Sequence, residues 1–177
     1  MNQVNYVQRN CTDKKRIETF LLRARTGVLG MASGFSPYAV PMNYVWHNDS
    51  VYFHGMGSGK KENILSQNPS VCFMVYEENG TVTDPVPCHA DTAYMSVMIF
   101  GKAEKVIDLE EASVALQKLV DKYMPKYYNH PLTSTFIEKY RSSLDGTAVS
   151  VYRIVLQEMT AKENSVESGK LLNLETR

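Results

Sequence analysis

The sequence predicts a mainly β protein, a β-barrel with peripheral helices. Three observations carry that expectation. Short runs of β-branched and aromatic residues recur between turn formers. They follow one another through short connections instead of alternating with helices, which makes the pairing antiparallel. Strands this short and hairpin-linked also lose their exposed edges by closing on themselves, six of them in all. The chain has 177 residues, 44% hydrophobic and 21% charged. That is the size of one domain able to bury a core without a disulfide or metal staple.

A first helix is expected from an N-cap at Thr12, with Ile17, Phe20, Leu21 and Ala24 along one face and Gly27 as its stop. Lys14, Lys15, Arg16, Arg23 and Arg25 make its outer face basic, the pattern of a solvated surface. The period then changes to strands at Val28 to Met31 and Tyr38 to Trp46, joined by the turn Ser33-Gly34-Phe35-Ser36-Pro37. A second turn, His47-Asn48-Asp49-Ser50, leads into Val51-Tyr52-Phe53-His54, so these three strands read as a meander.

A glycine loop, Gly55 to Gly59, precedes a short helix over Lys60 to Gln67 that stops before Pro69. Val71 to Tyr76 is a strand closed by Glu77-Glu78-Asn79-Gly80, and residues 81–91 form an irregular excursion. Ala93 to Val106 is a long strand with a bend or bulge at Gly101. Asp108 and Glu111 pair as a capping box for a helix with Leu109, Ala112, Leu116, Leu119, Val120 and Tyr123 on one face. Pro131 opens another helix with Phe136, Ile137 and Tyr140 inward. Ala148 to Met159 is the last strand, and the polar tail begins at Ala161.

Composition narrows the function classes. Nineteen Lys and Arg balance nineteen Asp and Glu, so no global field draws the chain to nucleic acid or an anionic membrane. The charge-free stretch Thr26 to Asn48 is too broken by Gly, Ser and Pro for a spanning helix. Met1-Asn2-Gln3-Val4 has no basic lead into an apolar run, and Cys11, Cys72 and Cys88 lack a CxxC spacing. Both features fit a cytoplasmic protein with free thiols. His47, His54, His89 and His130 have no metal-ligand spacing, so no metal site is expected. Cys88 lacks an arranged base and reads as a structural thiol.

The most informative stretch is His54-Gly55-Met56-Gly57-Ser58-Gly59-Lys60-Lys61. It is not a P-loop: His54 stands where the first glycine belongs and Lys61 where Ser or Thr belongs. It is not a dinucleotide fingerprint either, because Lys60 replaces the third glycine. Lys60 and Lys61 fall in the first turn of the following helix, where the macrodipole disfavours cations and Glu62 offsets this only in part. A bound phosphate turns that mismatch into a favourable arrangement; ammonium groups extended into solvent are the plainer reading. His54 is open between a structural role and a place in such a site.

These residues, with Thr26-Gly27-Val28-Leu29-Gly30-Met31, Pro37-Tyr38-Ala39-Val40-Pro41-Met42-Asn43-Tyr44, Tyr52-Phe53-His54, Asn68-Pro69, Tyr94-Met95-Ser96-Val97 and Gly101-Lys102-Ala103-Glu104, follow a known order and spacing. From about Arg16 to Lys162 the chain resembles the FMN-binding split-barrel proteins related to pyridoxamine 5′-phosphate oxidase, most of all the 5-nitroimidazole resistance (Nim-type) flavoproteins. The resemblance implies a six-stranded Greek-key split barrel over residues 1–162, with a helical insertion at 108–141 and a tail at 163–177. It also implies a homodimer with FMN at the subunit interface.

By that likeness Pro41, Met42, Asn43 and Tyr44 lie along the flavin ring, with Met42, Tyr44 and Tyr94 as an apolar wall. Lys60 and Lys61 hold the phosphate, His54, Gly55 and Ser58 are further cofactor-binding positions, and Ser96 stands where the oxidases place a flavin-contacting glutamine. His54 becomes the candidate catalytic group for substrate or proton handling. The resemblance departs at the C-terminus: the oxidases end in an Arg- and Trp-containing segment, whereas here the only tryptophan is Trp46. The expected function is an FMN-dependent oxidoreductase reducing a small acceptor such as a nitroimidazole, not pyridoxamine phosphate oxidation. The alternatives are a flavin- or haem-binding carrier or sensor without turnover, and a barrel whose glycine loop binds nothing.

Overall fold

The computed structural model describes residues 6–34, 36–143, 146–166 and 168–172. Phe35 of the expected turn, Met1 to Val4 and the last five residues of the tail lie outside the described residues.

Seven strands form one antiparallel sheet: β1 (Thr26–Ser33), β2 (Ser36–Asn43), β3 (Val45–His47), β4 (Ser50–Gly55), β5 (Ser70–Val82), β6 (Asp91–Lys105) and β7 (Ser150–Asn164). Their order is β2-β1-β5-β6-β7-β4-β3. The two end strands, β2 and β3, are joined through the single residue Tyr44. A sheet whose ends are covalent neighbours has to roll up, so the seven strands make a barrel that is split at Tyr44.

The expected count of six strands, and the expected meander, are corrected at that split. Tyr38 to Trp46 is not one strand, because Tyr44 pairs with no strand. Its N–H donates to the Tyr123 hydroxyl at 2.9 Å, and its carbonyl accepts from the same hydroxyl at 3.0 Å. A buried peptide group needs a partner, and a helix side chain supplies it here.

Alternation fills the barrel. Leu29, Phe73, Val75, Val97, Ile99, Val51, Phe53 and Ile154 are completely buried, each burial worth roughly 1.5–3 kcal/mol. Helix α1 (Lys14–Arg23) inserts Ile17, Phe20 and Leu21 into this core. Its N-cap is Asp13, whose carboxylate accepts from Arg16 N at 3.1 Å, and it ends at Arg23, so neither Thr12 nor Gly27 plays the expected role. Gly27 instead faces inward from β1 against Phe73. The basic face is only partly solvated, since Arg16 pairs with Glu163, Arg23 with Glu77 at 2.5 Å, and Arg25 lies 5.0 Å from the Tyr123 ring centre.

Helix α3 (Leu109–Tyr123) builds a second, smaller core from Ala112, Ala115 and Leu119 against Val45, Tyr52 and Val151. Asp108 caps it as expected, accepting from the backbone of Glu110 and Glu111. The Glu111 carboxylate does not reach back to complete a box; it accepts from the Tyr52 hydroxyl and from Arg153, both at 2.8 Å. Helix α4 (Ser134–Lys139) is capped by Thr133 and does not open at Pro131; it buries Ile137 while Phe136 and Tyr140 stay exposed. Strand β5 continues through Glu77 to Gly80 with a register shift where a turn was expected. The expected irregularity at Gly101 is present in the β6–β7 pairing. No helix among the described residues is long and apolar enough to cross a membrane.

Candidate functional site

Strand β4 delivers His54 and Gly55 to one rim of the barrel, and helix α2 (Lys60–Gln67) begins just beyond the loop. Gly59, the N-cap, has φ +105°, a backbone that only glycine adopts without strain, and it offers the helix no capping side chain. The first turn of α2, whose N-cap has no side chain, thus carries its backbone N–H groups in the same turn as two ammonium groups.

The two lysines diverge. Lys60 Nζ lies 4.3 Å from the ring centre of Tyr38 on β2. Lys61 folds back over β4, with Nζ 5.4 Å from the Phe53 ring centre and against Gly55, where a Cβ would collide with it. Neither has a carboxylate within 4 Å among the described residues. Burial lowers the Lys61 pKa, with Glu62 opposing. His54 is crowded by its neighbours yet keeps an exposed edge; burial first and the Lys61 charge second lower its pKa, so the ring is neutral at pH 7.

Glu62, next in sequence, is held by partners on the strands. Its carboxylate accepts from the Tyr152 hydroxyl and lies 3.9 Å from Lys105 Nζ. Tyr152 stacks on Phe53 at 5.3 Å and 12°, so β7 braces the ring beneath Lys61. The resulting cluster joins His54, Gly55, Lys60 and Lys61 with Tyr38, Phe53, Glu62, Lys105 and Tyr152.

Sequence reasoning gave none of the last five a site role, beyond Glu62 as a partial offset to the two lysine charges. Tyr38 sits inside a singled-out segment but has no local mark of its role, and Tyr152 is 90 residues from its partner Glu62. Only the fold brings those together.

Other expected site residues lie elsewhere. Ser58 is exposed in the glycine loop. Pro41 and Asn43 face outward from β2, whereas Met42 is half-buried against the core. Tyr44 is completely buried, its hydroxyl donating to the Leu21 carbonyl at 2.8 Å, so its side chain forms no wall of an open cleft. That expectation is corrected: residue 44 is the barrel's seam, and its ring packs inward on Phe73.

Ser96 and Tyr94 are half-buried toward the other end of β6. Tyr152 sits between Phe53 and Lys105 in the sheet, and Ser96 is nine residues back from Lys105. At about 3.3 Å per residue this puts Ser96 roughly 30 Å along the strand from the lysine cluster. Cys88 and His89 are exposed in a turn between β5 and β6, with His89 Nδ1 3.4 Å from Asp84. Next to Tyr38, the outer face of β1, β2 and β5 holds a hollow of about 490 Å³ lined by Gly30, Ala32, Pro37, Tyr38, Ala39 and Cys72. Gly30 has no side chain and Ala39 only a methyl group, so neither fills it.

Comparison with known proteins bears on the family and the fold. The chain is similar to a candidate 5-nitroimidazole antibiotic resistance protein from Bacteroides thetaiotaomicron, at 28% identity and TM-score 0.67 over 86% of this chain and 85% of that one. It shares its fold with a flavocytochrome from Azotobacter vinelandii (20% identity, TM-score 0.75, 98% and 77% of the two chains). It shares it also with an FAD- and haem-binding protein from Mycobacterium smegmatis (15%, 0.72, 95% and 78%). A comparison with curated proteins found no match. The family model described as pyridoxamine 5′-phosphate oxidase matches residues 13–163, and on that match this chain belongs to the pyridoxamine 5′-phosphate oxidase family.

Proposed function

We propose that this protein binds FMN between two copies of itself and passes electrons from the reduced flavin to a small organic acceptor, such as the nitro group of a nitroimidazole. One observation carries the reading. Two lysines with no carboxylate within 4 Å among the described residues, one of them half-buried, stand in the first turn of a helix whose N-cap is a glycine. A half-buried ammonium without a close counter-charge is costly, and a phosphate monoester supplies one while accepting from amides of the helix's first turn.

The residues present fit such a group. Lys60 and Lys61 supply the cations, and the absence of a side chain at Gly55 lets the Lys61 amine lie against the strand. The hollow beside Tyr38 has room for a planar ring. Bound flavin supplies the two-electron redox chemistry; the chain anchors it, shields one side from water and manages protons. His54 is neutral at pH 7 and near Lys61. Phosphate charge beside Lys61 removes part of what lowers the His54 pKa, so an imidazole nitrogen gains the capacity to give a proton to the reduced acceptor.

The roughly 30 Å between Ser96 and the lysines supports a site shared by two copies, with Ser96 and outward residues of β2 from one and the lysine cluster from the other. Oxidation of pyridoxamine phosphate is not proposed, since Trp46 is buried in the core and unavailable as a ligand-holding side chain.

A second reading, a flavin- or haem-binding carrier without turnover, is favoured by the shared fold with flavin–haem proteins over nearly the whole chain. The visible spectrum of freshly purified protein, followed by anaerobic reduction and addition of a nitroimidazole, separates them. Flavin absorbance and nitro-group turnover support the first reading. A Soret band, or full flavin loading with no turnover of nitro or quinone acceptors, supports the second.

A further inference from the structure

We infer that Tyr152 and Lys105 act as a latch that holds Glu62 off the lysine pair and so keeps the start of α2 open for an anion. This rests on the reading of Lys60 and Lys61 as phosphate holders, and it names residues that work through them.

The argument starts from helix chemistry. With Gly59 as N-cap, Glu62 occupies the third helical position. A glutamate there ordinarily reaches back to the N-cap N–H, satisfying an orphan donor and placing its negative charge at the positive end of the helix. In that conformation its carboxylate competes with a phosphate for the same amides and the same two ammonium groups.

Here Glu62 does something else. One oxygen accepts from the Tyr152 hydroxyl, and the other lies 3.9 Å from Lys105 Nζ. Both partners belong to strands, Tyr152 to β7 and Lys105 to β6, and they are directly paired across the sheet. Tyr152 is itself fixed by stacking on the buried Phe53 and is only 3% exposed. The carboxylate that could fill the site is thus tied to the barrel wall; its charge still reaches Lys61, but among the described residues it forms no ion pair with Lys60 or Lys61. Tyr152 and Lys105 are positioning residues: they touch Glu62, not the anion.

The test uses FMN and riboflavin, which share the ring and differ in the phosphate. Purified full-length protein is titrated with each by fluorescence quenching, and thermal unfolding confirms folding of every variant. Tyr152→Phe frees Glu62 and is expected to weaken FMN about 5–10-fold while leaving riboflavin within twofold. Adding Glu62→Gln to Tyr152→Phe removes the competing charge and restores FMN binding to within twofold of the unaltered protein. A loss that comes from damaged packing is not rescued this way.

Should Tyr152→Phe unfold, Lys105→Met is the second route to a freed Glu62. It is expected to weaken FMN in the same sense, with rescue by Glu62→Gln. Unchanged FMN affinity in a folded Tyr152→Phe or Lys105→Met variant, or a double variant no better than its single parent, overturns the latch. If the unaltered protein binds FMN no tighter than riboflavin, the phosphate reading itself falls, and the latch with it.

Discussion

The Tyr123 hydroxyl completes the backbone of Tyr44. It accepts from the Tyr44 N–H at 2.9 Å and shares its hydrogen between the carbonyls of Tyr44 and Arg25. One phenol on α3 thereby stands in for the strand neighbour that residue 44 lacks at the split. Tyr123→Phe is expected to destabilise the protein by about 1–3 kcal/mol, the cost of leaving a buried peptide group unpaired. Denaturant unfolding measures it, and a change within a few tenths of a kcal/mol would mean that water replaces the hydroxyl.

Loss of either lysine acts on the phosphate alone. Lys61→Ala is expected to weaken FMN about 10–100-fold, as a charge-assisted hydrogen bond contributes roughly 1.5–3 kcal/mol. Lys60→Ala is expected to cost less, because its ammonium rests over the exposed side of Tyr38. Riboflavin affinity stays unchanged in both. Equal losses for the two ligands, read by the same titration, count against a phosphate role.

His54→Ala separates holding from turnover. Flavin content is expected to persist, since the ring makes no hydrogen bond that fixes the loop among those described, while nitro-group reduction falls about 100-fold or more, the range of general acid catalysis. Steady-state turnover of flavin-loaded protein reads this directly; full activity in the variant makes His54 structural.

The His54 pKa is lowered by burial and then by Lys61, against about 6.5 in the unfolded chain. The unfolded chain therefore binds that proton more readily. This contribution to stability is complete above about pH 6.5 and is lost as pH falls through the folded value. Melting temperatures between pH 5 and 8 should show that decline, and His54→Gln should flatten it. Ring titration by NMR is expected to place His54 higher with FMN bound than without, because phosphate offsets the Lys61 charge; no upward movement refutes the proton-handling role.

Much of this fold is legible in the sequence because alternation and turn chemistry are local. Val71, Phe73 and Val75 announce a half-buried strand, and Asp108 announces a helix start. Residue 44 is not legible, because nothing within Tyr38 to Trp46 says that a phenol 79 residues away will take its peptide hydrogen bonds. Glu111 fails for a similar reason: its spacing fits a capping box, but Tyr52 and Arg153 compete for the carboxylate. In the candidate site, the lysine pair is visible as a violation of helix electrostatics. The brace beneath it, Phe53 on Tyr152, exists only after β4 and β7 pair.

The strand order has a consequence for synthesis on the ribosome. β7 is the penultimate described segment to emerge, yet it lies between β6 and β4 and joins the two parts of the sheet. Until it arrives, the nascent chain holds a four-stranded sheet and a separate hairpin, each with an unsatisfied edge. Closure then depends on contacts between residues about a hundred positions apart, which are slow to find. A stop codon before residue 150 would therefore leave two sticky fragments on one chain, a natural client for holding chaperones and a poor candidate for accumulation in the cell.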